Sequence, residues 1–207
     1  TLIDLHQKFP FALPTLGWHP WEISNGISPK YTQQQLRHWT TLLEDNPFPI
    51  GEVGLDFHPR WRNTATEQLN ILRYFFQIAS DLKRPMILHV VKAHHEVLRL
   101  LKQFPTVRIY LHQFTGSFEV YAQYYKYDVY FGVPIVHWSP RWNRLIHKVD
   151  VRRLLLETDS AIPRFEFQQW MDLRQVSREV AIGSYNNLFQ FLQGTSDDFA
   201  HQFQNSM

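Results

Sequence analysis

Each apolar run in this chain that reads as a strand gives way to a helical stripe, and four of those runs end on a side chain able to bind a cation. PIGE ends on Glu52, MILH on His89, RIYLH on His112 and LLLETD on Asp159. Between them, apolar residues recur at helical spacing: Leu36, Trp39, Leu42 and Leu43, then Leu69, Leu72, Phe75, Phe76 and Ala79. Further helices are expected over 93–104 and 118–127, and further strands over 11–17, 107–112 and 128–133. Thr32-Gln33-Gln34-Gln35 and Thr64-Ala65-Thr66-Glu67 have the form of capping boxes. Pro85 stops one helix and opens the next strand. After residue 160 two more helices are expected, the second starting at Ser196-Asp197-Asp198.

Strict strand and helix alternation implies a parallel sheet, because parallel neighbours need a crossover between them. MILHVV is apolar almost throughout, as in a strand buried on both faces. In a parallel barrel all strands end on one face, so residues as distant as Glu52, His89, His112 and Asp159 can converge there. Imidazole and carboxylate donors without thiolate suit zinc, manganese or magnesium in a site with open positions for water. A His or Asp after a strand also serves as a capping or loop residue, and spacing alone leaves both readings open.

Composition narrows the class. At 207 residues and 44% hydrophobic content, with no linker-like stretch or internal repeat, residues 1–207 are read as one domain. The formal charge of +2 announces no global field, so any site for a polyanion is local. The chain has no cysteine, which removes thiolate ligands and fits a cytoplasmic setting. No apolar run reaches membrane-spanning length and no leader opens the sequence, so no membrane contact is expected.

The phrases GWHPW, GEVGLDF, ILHVVKA, LHQFTGS and LLLETDSAIP occur in one order that resembles the TatD-like metal-dependent deoxyribonucleases over most of the chain. The resemblance implies an α/β fold, a (β/α)8 TIM-like barrel of the metal-dependent hydrolase type. It also implies one or two divalent metal ions at the C-terminal face (two per site in the family; Zn, Mg or Mn) and hydrolysis of phosphodiester bonds in DNA, including 3′–5′ exonuclease action on single strands. On the matching positions, Glu52 would bridge two metals, His89 and His112 would bind one, and Asp159 would bind the other and orient the attacking water. Glu52 and Asp159 would thus carry the catalysis, and His19 would contact substrate phosphate. Gly51 and Gly54 would let the backbone pass close to an ion or a neighbouring strand. Asp56 would fix the following loop through backbone amides.

The chain departs from that pattern. The family's opening His-x-His pair is missing: Asp4 and His6 imitate its start, but Lys8 stands for the second His and the interval to GWHPW is too short. Six strands are read where closure takes eight, so the chain is expected to be N-terminally incomplete. A missing segment or a partner subunit would cover the open barrel, with the oligomeric state left open. The end at Asn205-Ser206-Met207 likewise falls inside a helical pattern. Val90 and Val91 replace a usual Ser-Arg; Lys92 beside them is either a point charge for substrate phosphate or a solvated residue at a helix start. Trp21 stands where a second His is usual and either stacks a base or packs. In HWSPRWNRLIHK, Trp138 and Arg141, with Trp142 and Arg144, interleave aromatics and cations as single-strand binders do, or pack on the barrel while the arginines face water. His58, Arg60, Trp61 and Arg62 carry the same two readings. Two other functions fit these departures: a metallohydrolase acting on a small ester or amide, and an inactive barrel used for binding.

Overall fold

In the computed structural model, which describes residues 8, 13–137, 139–159, 183, 184, 187, 188 and 190–192, the alternation becomes a sheet of five parallel strands in chain order. The strands are β1 (Ile50–Asp56), β2 (Met86–Val91), β3 (Ile109–His112), β4 (Val129–Pro134) and β5 (Leu154–Glu157). A helix precedes β1, α1 (Pro29–Asp45), and one lies in every connection: α2 (Ala65–Leu82), α3 (His94–Gln103), α4 (Phe118–Tyr124) and α5 (Trp142–Leu145). Among the described residues strand order never reverses, so they hold no switch point of the doubly wound kind; this is the wall of a TIM-type barrel.

The expected strand over 11–17 is reduced to one parallel bridge, Leu16 to Ile50, with Leu16 N–H donating to Pro49 O and Gly51 N–H to Leu16 O. Pro14 lacks the donor a ladder needs, and Pro20 turns the chain into a short 3-10 helix. Residues 11 and 12 lie outside the described set, as does the helix expected from Ser196; of the other helix expected beyond residue 160, residues 183, 184, 187, 188 and 190–192 are described and are helical. Among the described residues there are therefore five strands and a bridge, where six strands were expected.

Helix starts also differ from the capping boxes. Helix α1 begins three residues before Thr32, with Pro29 in its first turn and Ser28 Oγ accepting from Tyr31 N–H. At α2, Thr64 Oγ1 is engaged by Trp61 O and Gln68 Nε2, so it caps nothing. The end of α2 behaves as read: Lys83 turns left-handed (φ 53°) and Pro85 leads into β2.

Period-two alternation sorts the strand side chains onto two faces. Met86, Leu88 and Val90, Ile109 and Leu111, Val129, Phe131 and Val133 are buried toward the helices, where α2 contributes Leu72, Phe75, Phe76 and Ala79. The other face is layered. Ile87, Tyr110, Tyr130 and Leu155 form an apolar floor with Phe191, and the next residues along that face are His89, His112, Gly132 and Glu157. MILHVV accordingly alternates buried and half-buried positions instead of being buried throughout, because its inner face carries the polar layer. Among the described residues no helix is long and apolar enough to cross a membrane.

Candidate metal centre

Glu52 does not end its strand, contrary to expectation; β1 runs on to Asp56. The ladder to β2 jumps from Ile50–Met86 to Val53–Leu88, three residues against two, which is a bulge centred on Gly51 and Glu52. Glu52 Oε1 lies 3.1 Å from His89 Nδ1 and 3.7 Å from His19 Nε2. Donor atoms of His19, Glu52 and His89 all fall within 4.8 Å of one another. His19 reaches them from the segment before α1, at the start of the short 3-10 helix Pro20–Glu22, where its Nδ1 accepts from Trp21 N–H.

Asp56, the true end of β1, is only 3% exposed. Its Oδ1 accepts from His58 N–H at 2.8 Å, as a loop-fixing role requires. Its Oδ2 does more, accepting from Trp21 Nε1 at 2.7 Å and meeting His89 Nε2 at 3.2 Å. Gln68 from α2 pins the backbone beneath, its Oε1 accepting from Asp56 N–H. His89 is thus held at both ring nitrogens by carboxylates of one strand. Gly54 makes this approach possible: a Cβ there would sit 2.0 Å from His89 O, and its φ of +155° is one that other residues rarely adopt.

A second group faces the first. His112 Nδ1 lies 2.8 Å from Glu157 Oε2 and Nε2 lies 3.3 Å from Asp159 Oδ1. Glu157 also accepts from Tyr110 OH and from Gln113 N–H, and a Cβ on Gly132 would meet its Oε1 at 2.6 Å. Strand β5 ends at Glu157, not at Asp159, which follows in a left-handed conformation (φ 54°) with its side chain 47% exposed. His89 and His112 are register neighbours, but their ring nitrogens engage different carboxylates.

His19, Glu52, Asp56, His89, His112 and Asp159 line one cavity of about 340 Å³, bordered also by Trp21, Val90, Val91, Gln113 and Thr115. Its field favours cations. Burial alone would raise Glu52 and lower His112, yet both move the other way. Glu52 is held well below the ordinary carboxylate range by hydrogen bonds from His19 and His89. His112 is pushed up to about 9, chiefly by the Glu157 carboxylate, with Glu52 and Asp159 adding. Asp56 is likewise depressed, burial being outweighed by Trp21, His58 and His89. Three carboxylates facing three imidazoles in one cavity, with Glu157 bonded to His112, form a donor set that fits a divalent metal cation.

The remaining residues expected at the site are spread more widely. Lys92 is exposed at the β2–α3 turn with φ 55° and is not among the residues lining the cavity. Arg141 lies in a separate groove of about 280 Å³ with Arg144, Lys148 and Glu119. Trp138 lies outside the described residues. Trp142 is buried against Phe114, so it packs. Sequence reasoning passed over Glu157 altogether, although counting by twos from Leu155 puts it on the inner face.

A family model described as TatD related DNase matches residues 1–181. The chain is 30% identical to the human deoxyribonuclease TATDN3, over 77% of this chain and 61% of that protein. It is 27% identical to the 3′-5′ ssDNA/RNA exonuclease TatD of Salmonella typhimurium, over 76% of this chain and 61% of that one. The chain therefore spans about three fifths of the length of these relatives. Among solved structures, the Escherichia coli TatD homologue YJJV superposes with a TM-score of 0.65, at 22% identity, covering 99% of this chain and 78% of that one. That likeness concerns the fold.

Proposed function

Because this chain belongs to the TatD-related DNase family, we propose that it is a metal-dependent nuclease that hydrolyses phosphodiester bonds of DNA, acting from the 3′ end of single strands. One observation carries the reading: His19, Glu52 and His89 bring donor atoms within 4.8 Å of one another at the mouth of a parallel barrel. The name of the Salmonella typhimurium relative supports the polarity and the single-stranded substrate.

In this reading Glu52, His89, His112 and Asp159 hold two divalent ions, and His19 either completes the first set or contacts substrate phosphate. Bound metal would supply a nucleophile at neutral pH and stabilise charge on the leaving oxygen. The chain's own groups do the rest. Asp56 and Glu157 orient His89 and His112 through their second ring nitrogens. Asp159, the most solvent-accessible carboxylate of the group, takes a proton from the attacking water. The groove of Arg141, Arg144 and Lys148 offers charge for phosphates further along the strand. Residues 1–207 act as one domain, and the cysteine-free composition supports a cytoplasmic location.

The test is cleavage of a 5′-labelled single-stranded oligonucleotide with Mg, Mn or Zn, with and without chelator. Shortening that requires metal and disappears in Glu52→Ala and Asp159→Ala is expected. Unchanged cleavage by both variants overturns the reading. Turnover of small esters without any nucleotide release would favour the alternative hydrolase, for which the apolar wall of Val90 and Val91 speaks.

A further inference from the structure

The geometry points to a nucleobase-stacking subsite formed by Trp21, supported by Trp61 and Arg60, at the rim of the cavity. It rests on the nuclease reading and adds to it how the substrate strand is gripped. Trp21 is 51% exposed although it lines the cavity that holds Glu52 and His89. An exposed tryptophan alone means little. This one is fixed on several sides. Its Nε1 donates to Asp56, and its ring stacks on Trp61 with centroids 5.6 Å apart and planes 13° from parallel. Arg60 places its guanidinium 4.8 Å from the Trp61 ring centroid. The rings of His19 and His89 meet Trp21 edge to face at 4.9 and 5.4 Å.

A residue that only sealed the rim would be buried by these contacts, whereas half of Trp21 stays in water. Its indole is already immobilised, so stacking a base on it costs little further rotamer entropy. Every base has a π-face, so the contact is indifferent to sequence, and the neighbouring guanidinium adds cation–π attraction. The adjacency to His89 means that a base stacked on Trp21 carries its own phosphate toward the carboxylates and imidazoles of the cavity. The subsite therefore selects unpaired nucleotides, since a base locked in a duplex does not present its face.

The experiment compares two single-stranded oligonucleotides, one intact and one with an abasic position at the nucleotide to be cleaved. Dissociation constants are read by fluorescence anisotropy in chelator, and KM and kcat by cleavage with metal. The intact strand is expected to bind about 5- to 100-fold more tightly than the abasic one. Trp21→Leu should erase that ratio by weakening only the intact strand, whereas Trp21→Phe, which loses the bond to Asp56 but keeps an aromatic face, should retain most of it. In cleavage by the unaltered protein, the abasic position should raise KM and leave kcat nearly unchanged. Equal binding of the two strands, no binding of either, or a ratio that survives Trp21→Leu overturns the subsite. Absence of cleavage with an intact binding ratio would overturn the nuclease reading instead.

Discussion

His89 stands between two carboxylates of the neighbouring strand, with Nδ1 3.1 Å from Glu52 Oε1 and Nε2 3.2 Å from Asp56 Oδ2. The two carboxylates differ in setting. Glu52 is partly open to the cavity and shares its oxygen with His19, while Asp56 is buried and anchored by Trp21 and His58. In the proposed reading, the first holds a cation and the second orients the imidazole.

Removing the first should abolish the centre. Glu52→Ala and Glu52→Gln are expected to lose metal, measured by elemental analysis after dialysis. The loss of affinity should exceed the ~10- to 100-fold typical of an orienting partner. Both variants should remain folded, because Glu52 is not part of the apolar core. Full metal content in both would exclude Glu52 as a ligand.

Asp56→Asn tests the orienting role. The amide would turn an N–H toward either the Trp21 Nε1–H or the His58 N–H, leaving one buried donor unpaired at a cost of about 1–3 kcal/mol. Metal affinity should fall about 10- to 100-fold while the metal count stays the same. Titration with a metallochromic competitor reads the affinity and urea unfolding reads the stability.

The close passage of β1 and β2 predicts an asymmetry between two glycines. Gly54→Ala drives a Cβ to 2.0 Å from His89 O and should destabilise the fold by about 3 kcal/mol or more, displacing His89 as it does so. Gly26→Ala meets nothing within 4 Å and keeps only the strain of φ +76°, about 1–2 kcal/mol. Comparing urea midpoints at constant slope decides this, and equal losses would count against the packing argument.

His94, away from the metal centre, predicts a pH effect on stability. Burial, with Arg141 adding, lowers its pKa from 6.5 to about 4, and it contacts Tyr124 OH at 3.2 Å. The folded state therefore binds this proton more weakly than the unfolded one. Stability from the neutral imidazole is complete above about pH 6.5 and is lost as pH falls through about 4, a difference of about 3 kcal/mol. Wild type minus His94→Asn, by urea unfolding at pH 7.5, 5.5 and 4, should show a gap that changes over that interval. A constant gap would mean that His94 does not titrate there.

Much of this molecule is legible in one dimension. The order of strands and helices follows from periods of 2 and 3.6 and from Pro85, because those patterns report which face each residue must bury. The residue types of the centre are equally legible, since His89 and His112 fall at the ends of apolar runs. Helix α1 was misread at its start because Ser28 followed by Pro29 competes with the Thr32 box, and only the Ser28 oxygen finds a free N–H.

What sequence determined by itself was the alternating architecture and a supply of imidazoles and carboxylates on one face, because side-chain period and donor chemistry are local properties. Which donors meet was decided in three dimensions. The bulge at Gly51 and Glu52 turned a mid-strand glutamate toward His89, and the bridge at Leu16 carried His19 to it. The end of β5 at Glu157 gave His112 a partner that the ETD phrase concealed. Each of these depends on how segments far apart in the chain pair, and that pairing is fixed only when the buried faces of both partners pack together.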